Sequence, residues 1–417
     1  MKNLPKKGIF NSRLYVYTIA NQGSRAKRGI LIAFGELFLK SRGVKKLFKE
    51  KLIRNIRFFL RKENIDFKIH PSYERIFVET IQEKETAKVI KRIFGIAWFA
   101  ESFYFPQTTL KNFSDFISKN YPDRIEKGKT FAIRLKLEKG ILRKNRGEVI
   151  DKIAEQINRK VNLTKPKEEI FVEVRKTAPP SLKIRRAKWF LYFKKIKGAG
   201  GFPIGSSGKV LSLISGGIDS PIAAYLIAKR GAENVWVHFH SFPLVSNTSI
   251  EKVKELAKVF LRYQPHLRIY FIPFQKAQIE VKTKTPAKYR ILLYRRLMFK
   301  MAERIAKREN CQSLVTGESL GQVSSQTLPN IKIVEGVVKI PVLRPLIGMD
   351  KEEIIKVAKK IGTFPISIKP QEDCCTLFVP KHQTAQGRLE IIKELEKKLD
   401  INKIIREIIK RVRIEKY

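Results

Sequence analysis

Apolar and polar positions alternate along the chain with periods that change from one block to the next. Ile30–Phe34 is a short apolar run that reads as a strand, turned by Gly35-Glu36. Val44, Leu47, Phe48, Leu52, Ile56, Phe59 and Leu60 then recur at helical spacing. Phe67–His70 and Arg75–Glu79 read as short strands around Pro71-Ser72, Glu83–Phe94 as a helix and Ile96–Phe103 as a further strand. The resulting order β-α-β-β-α-β is a ferredoxin-like split motif. A second α+β block follows. It has helices near Leu110–Asn120 and Gly147–Val161, and strands at Thr130–Leu137, Ile170–Val174 and Trp189–Phe193.

Residues 197–208 hold five glycines and a proline, which the pattern gives no regular structure. Beyond them the chain changes to βα alternation. The predicted strands are Val210–Ile214, Val235–His240, Leu267–Ile272 and Leu314–Thr316. Helices are expected from Pro221, as the first helical residue, to Gly231, around Ile250–Leu261, and from Ala287 to Asn310. Asp350 and Glu353 form a capping box for a helix that Gly362 closes, and Thr384–Tyr417 reads as one charged amphipathic helix. The expected class is α/β and α+β multidomain. Its parts are a basic tail 1–28, a ferredoxin-like domain 29–90, an α+β domain 91–196, a linker 197–208 and a doubly wound parallel-sheet domain 209–417.

Composition narrows the partners. The 417 residues carry 86 Lys+Arg against 39 Asp+Glu, a formal net charge of +47. An excess of this sign and size points to a polyanion, and nucleic acid fits it. In the second block Arg143, Lys144, Arg146, Arg185 and Arg186 are candidate phosphate contacts. Aromatics Phe131, Phe171, Trp189 and Tyr192 lie among them, and strand positions assign most of these to the core. No apolar run reaches membrane-span length and the basic N-terminus lacks a secretory h-region, so a cytoplasmic protein without membrane contact is expected. Three cysteines, Cys311, Cys374 and Cys375, make neither a disulfide framework nor C-x-x-C metal spacing. Cys311, at a strand start, reads as structural.

The candidate chemistry centres on Ser215-Gly216-Gly217-Ile218-Asp219-Ser220, between a buried strand and a helix. It is neither a Walker loop nor a dinucleotide fingerprint. S-G-G-x-D-S is the pyrophosphate loop of PP-loop ATPases, which split ATP between its α and β phosphates. Glycines let the backbone approach pyrophosphate, serines donate hydroxyls, and Asp219 is a candidate ligand for Mg²⁺. His238–His240 and Thr316–Ser319 also fall at strand carboxyl ends, where such sheets bind ligands.

With these residues in place the chain resembles the tRNA 4-thiouridine synthetases (ThiI). The resemblance rests on GELFLK, KIKGAGGFPIG, SGGIDSP, VHFHSFP, YRRLM, TGESLGQVSSQT and EDCCTLFVPKH, and runs over nearly everything after residue 28. It implies a ferredoxin-like domain, a tRNA-binding THUMP domain and a PP-loop domain, in a short form without a rhodanese domain. It also implies sulfur transfer to uridine 8 of tRNA: ATP adenylates the base carbonyl, and a protein persulfide replaces AMP. The implied ATP contacts are Leu213, Ile214, Ser215, Gly216, Gly217, Asp219, Ser220, His238, Phe239, Arg295, Gly317 and Gln326. Cys374 matches the sulfur-relay cysteine, fed by a cysteine desulfurase, and Cys375 is an assistant. An outside thiol or Cys311 would regenerate the carrier. Some relatives also supply sulfur for the thiazole of thiamine. A homodimer is compatible with the sequence, and an iron–sulfur cluster lacks its C-x-x-C. The rival readings are a PP-loop ligase acting on a small molecule and a non-catalytic THUMP RNA-binding protein.

Overall fold

The computed structural model describes residues 26–35, 41–72, 74–120, 125–126, 128–138, 140–142, 144–176, 187–370, 378 and 384–417. Its contacts define two compact units. One comprises Met1–Leu31, Lys68–Ile81 and Ala100–Lys194; the other comprises Ile32–Phe67, Gln82–Phe99 and Lys195–Tyr417.

The first elements are β1 (Lys27–Phe34), α1 (Arg42–Lys62), β2 (Lys68–Pro71), β3 (Ile76–Glu79), α2 (Glu83–Ile90) and β4 (Ile96–Phe105). Their strand order β2-β3-β1-β4 is the ferredoxin-like arrangement that the split motif predicts. Pro71, expected in the turn, is the last residue of β2 and pairs with Ile76. The helix expected to reach Phe94 stops at Ile90, and Ile93 and Phe94 are buried in the turn before Gly95, whose φ is 97°.

The next elements are α3 (Leu110–Asn120), β5 (Phe131–Leu137), α4 (Arg146–Ala154), β6 (Glu168–Lys176) and β7 (Ala187–Tyr192). They extend the sheet as β4-β7-β6-β5. Asn145 and Glu148 cap α4 reciprocally. That helix ends seven residues earlier than its apolar spacing suggests, because Ile157 reaches the core from a turn and Val161 bridges to Phe131. Phe131, Trp189 and Tyr192 are buried as expected, and Phe171 stacks on Tyr192 at 5.1 Å.

The glycine-rich segment is not free of regular structure. β8 (Ile196–Lys197) pairs with Phe99 and Trp98 of β4. The N–H groups of Gly198 and Gly200 then donate to Ala97 O and Ile96 O at 2.9 and 2.8 Å. A Cβ on Gly198 would lie 2.2 Å from Ile96 O, so only glycine permits this lacing. Helix α1 joins the same unit: Phe48 packs edge-on to Phe202 at 5.5 Å and Phe58 to His266 at 4.9 Å.

The rest of the chain forms β9 (Lys209–Leu213), α5 (Asp219–Lys229), β10 (Glu233–His240), α6 (Thr248–Phe260), β11 (Arg268–Pro273), α7 (Gln275–Lys284), α8 (Arg290–Arg308), β12 (Ser313–Val315), α9 (Leu328–Glu335), β13 (Val342–Leu343), α10 (Lys351–Ile361), α11 (Phe364–Ser367), α12 (Leu389–Lys397), α13 (Ile401–Ile409) and β14 (Arg413–Lys416). The sheet order is β13-β12-β9-β10-β11-β14, parallel except for β14. Val235, Val237 and Tyr270 face one core with α7, α8, α12 and α13, while Trp236, Ile269 and Phe271 face another with α5, α6 and α10. Strand order reverses between β9 and β12, which opens the ligand crevice at their carboxyl ends.

Two expectations change here. Pro221 is the third residue of α5, not the first; its missing N–H is harmless there too, since the first four N–H groups of a helix have no internal partner. The single C-terminal helix resolves into α12, α13 and the antiparallel edge strand β14, because Asp400 caps a new helix by accepting from Lys403 N–H at 3.0 Å.

Candidate active site

The loop after β9 is built from its own polar atoms. Gly216 takes φ 85°, which the turn requires. Ser215 N–H donates to Ser220 Oγ at 3.0 Å, and Gly217 N–H donates to Ser215 Oγ at 3.3 Å. The loop delivers the chain to the N-terminus of α5, where free N–H groups and the helix dipole favour an anion. Gly317, beyond β12, abuts this helix start: a Cβ there would lie 2.7 Å from Ser220 N. Ser215, Gly216, Gly217, Asp219, Ser220 and Gly317 are thus brought together.

Beneath the loop, Ile214 N–H donates to Val237 O at 2.9 Å. His238 Nδ1 lies 2.8 Å from Ile214 O, and its Nε2 lies 3.2 Å from Ser249 Oγ. With Nδ1 donating to the carbonyl, Nε2 accepts from the serine. The ring of His238 therefore holds the strand end. Phe239 is buried against Phe274 at 5.5 Å, and Leu213 is half-buried. Burial pushes His238 down to about 4, and burial together with Arg413 pushes His240 down to about 4.

Near neutral pH both histidines are uncharged in the fold, while the unfolded chain takes up their protons near the ordinary histidine value of 6.5. Stability is therefore full above that value and is lost as pH falls from 6.5 toward about 4. The slope expected from each is up to about 1.4 kcal/mol per pH unit. Urea midpoints of the wild type and His238→Asn between pH 7.5 and 4.5 check this, at roughly the pH range the linkage defines. The variant should show the shallower acid dependence, and parallel curves would contradict the assignment.

Asp219 Oδ1 accepts from Lys351 Nζ at 2.7 Å, and Oδ2 accepts from Gln322 Nε2 at 2.9 Å. Sequence reasoning missed both partners. Lys351 is the first residue of α10, directly after the capping Asp350 that the pattern identified, so its place at a helix start beyond a strand was a usable signal. Arg295, from α8, pairs with Glu318 and donates to Ser325 O at 2.9 Å. Glu318 is buried and also accepts from Arg344 Nε at 2.6 Å and Thr316 Oγ1 at 2.8 Å. Gln326 Oε1 accepts from Ser319 N–H at 3.3 Å.

Cys374 and Cys375 lie outside the described residues, but the chain on either side of them is fixed to the site. Ser367 Oγ donates to Gly217 O at 3.2 Å, and Lys252 Nζ donates to Lys369 O at 2.6 Å. Past the segment, the fully buried Asn330 donates to Thr384 O at 2.9 Å and to Ser324 O at 2.7 Å. Its Oδ1 accepts from Gly387 N–H at 3.0 Å. Cys311 is a different case. Burial pushes its thiol up to about 12, and it precedes the amino end of β12, whereas the loops above sit at carboxyl ends. It is a core residue, as expected, but the idea that it regenerates the carrier is corrected.

Of the expected RNA contacts, Arg143, Arg185 and Arg186 lie outside the described residues. Lys144 is exposed 3.7 Å from Glu148, and Arg146 is exposed at the start of α4. The structure adds a cationic face that the sequence reading passed over: Arg54, Arg57, Arg61 and Lys62 are exposed on α1 beside Phe58, at the spacing of one helix face. Among the described residues no helix is long and apolar enough to cross a membrane.

Three family models match the chain: the ThiI ferredoxin-like domain over residues 29–100, the THUMP domain over 109–178 and the thiamine biosynthesis protein (ThiI) over 205–401. A "Probable tRNA sulfurtransferase" of Caldanaerobacter subterraneus subsp. tengcongensis is 39% identical, over 90% of this chain and 96% of its own length. One of the same name from Thermus thermophilus is 51% identical over about half of each chain, 50% and 51%. The crystal structure of a 4-thiouridine synthetase–RNA complex with bound ATP superposes with TM-score 0.82 at 31% identity, covering 94% of this chain and 99% of that one. With loop, strand ends and near full-length relatives in agreement, the chain belongs to the ThiI family of tRNA sulfurtransferases.

Proposed function

We propose that the protein is an ATP-dependent tRNA sulfurtransferase that converts uridine 8 of tRNA to 4-thiouridine. The observation that carries this reading is the placement of the S-G-G-x-D-S loop. It sits at the switch point of the sheet, with one flank of the cysteine-bearing segment hydrogen-bonded to it through Ser367 and the other held by Asn330 of α9, which also donates to Ser324.

The loop N–H groups and the start of α5 hold the pyrophosphate portion of ATP. The uracil O4 attacks the α phosphorus and pyrophosphate departs. Asp219 and the loop hydroxyls suit Mg²⁺, which takes one or two carboxylates and completes its shell with phosphate and water. Bound there, the metal ion would neutralise charge on the departing pyrophosphate. Lys351, 2.7 Å from Asp219, is within reach of the same phosphates. The persulfide borne by Cys374 then displaces AMP from C4. Incubation with ATP, a cysteine desulfurase, cysteine and unmodified tRNA should yield AMP, pyrophosphate and 4-thiouridine, read by nucleoside mass spectrometry. ATP turnover that ignores tRNA and responds to a small acid or amine would favour the ligase reading.

The basic residues set the salt dependence of tRNA binding. Replacing Arg143, Lys144 and Arg146 together by alanine should flatten the log–log salt slope by about two to three units, because fewer counterions are released. Replacing Arg54, Arg57 and Arg61 together tests the α1 face in the same assay. An unchanged slope in either variant removes that face from the RNA footprint.

A further inference from the structure

We infer that Arg344 is a positioning residue of the ATP site, which keeps Glu318 neutralised when Arg295 turns to engage a nucleotide phosphate. The inference rests on the proposed ATP chemistry and on the ATP contact that the family resemblance implies for Arg295.

The geometry is an alternating chain of charges. Glu335 Oε2 accepts from Arg344 Nη1 at 2.8 Å; Arg344 Nε donates to Glu318 Oε2 at 2.6 Å; Glu318 Oε1 faces Arg295. The side chain of Glu318 is only 4% exposed, with those of Arg344 and Arg295 11% and 13% exposed. A carboxylate so deeply buried needs a cation, and removing one partner of such a pair leaves the other uncompensated. If Arg295 were its single cation, any move of that guanidinium toward phosphate would strand the charge of Glu318. Arg344 removes this penalty, because Oε2 stays paired to it and to Thr316 Oγ1 whatever Arg295 does. Arg344 thereby keeps the far end of the array fixed directly after the edge strand β13, while Arg295 stands on α8.

The array also bears on the pyrophosphate loop. Glu318 directly follows Gly317, whose backbone is packed against Asp219 and Ser220. Holding the carboxylate of Glu318 fixes the strand end on which that contact depends. No local pattern marks Arg344: it stands in a loop before Pro345, and only the parallel pairing of β12 and β13 brings it beside Glu318.

The test is a cycle of variants, Arg295→Gln, Arg344→Gln, Glu318→Gln and the double Glu318→Gln/Arg344→Gln, each read by the KM for ATP and by kcat in tRNA-dependent pyrophosphate release. Arg295→Gln should raise the KM for ATP about tenfold or more, the effect of losing one charge-assisted bond. Arg344→Gln should raise it by a similar factor, because Arg295 is then tied to an uncompensated carboxylate. Neutralising that carboxylate should undo the effect, so the double variant recovers most of the affinity that Arg344→Gln loses. A merely structural Arg344 would give the opposite, with losses that accumulate and a lower melting temperature. If Arg344→Gln does not fold, comparing Glu318→Gln with the double variant still decides: a further rise in KM for ATP overturns the inference. If Arg295→Gln leaves the KM unchanged, the nucleotide role of Arg295 falls and the inference with it. If Arg295→Gln raises the KM but Arg344→Gln does not, or the double variant fails to recover, the inference alone falls.

Discussion

Asp219→Ala is expected to cut tRNA-dependent pyrophosphate release by about 10²- to 10³-fold, the range seen when one preorganised electrostatic group is removed from an active site. The carboxylate sits at the first residue of α5, between Lys351 and Gln322, at the mouth of the pyrophosphate loop. Its removal leaves the lysine without its anion and the departing pyrophosphate without the ligand proposed for Mg²⁺. Asp219→Asn separates these effects. It preserves size and a carbonyl oxygen that can accept from Lys351 or Gln322, but not the negative charge. If charge is what matters, the asparagine variant should be nearly as inactive as the alanine one. Affinity for tRNA should hold in both, since the loop lies apart in sequence from every residue assigned to the RNA contacts. The products decide the reaction class. AMP and pyrophosphate are expected from the wild type; ADP would mean cleavage at the other phosphate linkage and a wrong assignment of the loop.

Features written in local pattern were readable in the sequence. Asp350 and Glu353 form the reciprocal cap, and Gly362 closes the helix at φ 87° in the left-handed region. The βα alternation and the turn after β9 follow from apolar runs and glycines in the same way. What escaped was decided at long range. Helix α7 buries only Ala277, Gln278 and Val281, so its apolar stripe is thin. It is held instead by contacts such as Ser241 Oγ donating to Gln278 Oε1 at 2.7 Å. Strand β14 reads Arg-Ile-Glu-Lys, a polar sequence that becomes a strand because it pairs with β11, Lys416 opposite Arg268. The site divides along the same line. The pyrophosphate loop is contiguous and legible. Lys351, Gln322 and the Arg344–Glu318–Arg295 array join positions up to 132 residues apart, a relation that spacing cannot express.

Cys374→Ser is expected to stop thiolation while adenylation of tRNA continues. We propose that the Cys374 thiolate attacks the outer sulfur of the donor's cysteine persulfide, releasing the donor thiolate and leaving Cys374–S–SH. The outer sulfur then attacks C4 of the adenylated uracil and AMP departs, giving a C4–S–S–Cys374 disulfide. A second thiol must attack Cys374 Sγ, freeing the C4 sulfur and leaving a disulfide that an external reductant opens. Of the three cysteines in the sequence, Cys311 is excluded from this last role by its burial and its place at the amino end of β12. Cys375 is poorly suited as well: neighbouring Cα atoms lie about 3.8 Å apart, short of the roughly 4.4–6.8 Å of an ordinary disulfide. An outside thiol is the expected second partner, so Cys375→Ser should slow turnover or make it depend on added thiol rather than abolish it. Both cysteines are within five residues of Pro370, the last described residue before the gap, and Ser367 ties that stretch to Gly217 at 3.2 Å. Single-turnover thiolation with each variant, with the persulfide located by mass spectrometry, tests the assignment. Full activity of Cys374→Ser with the persulfide on Cys375 would exchange the two roles. Full activity of the double variant would remove this segment from the sulfur chemistry and leave the pyrophosphate loop to adenylate tRNA for a sulfur donor outside the chain.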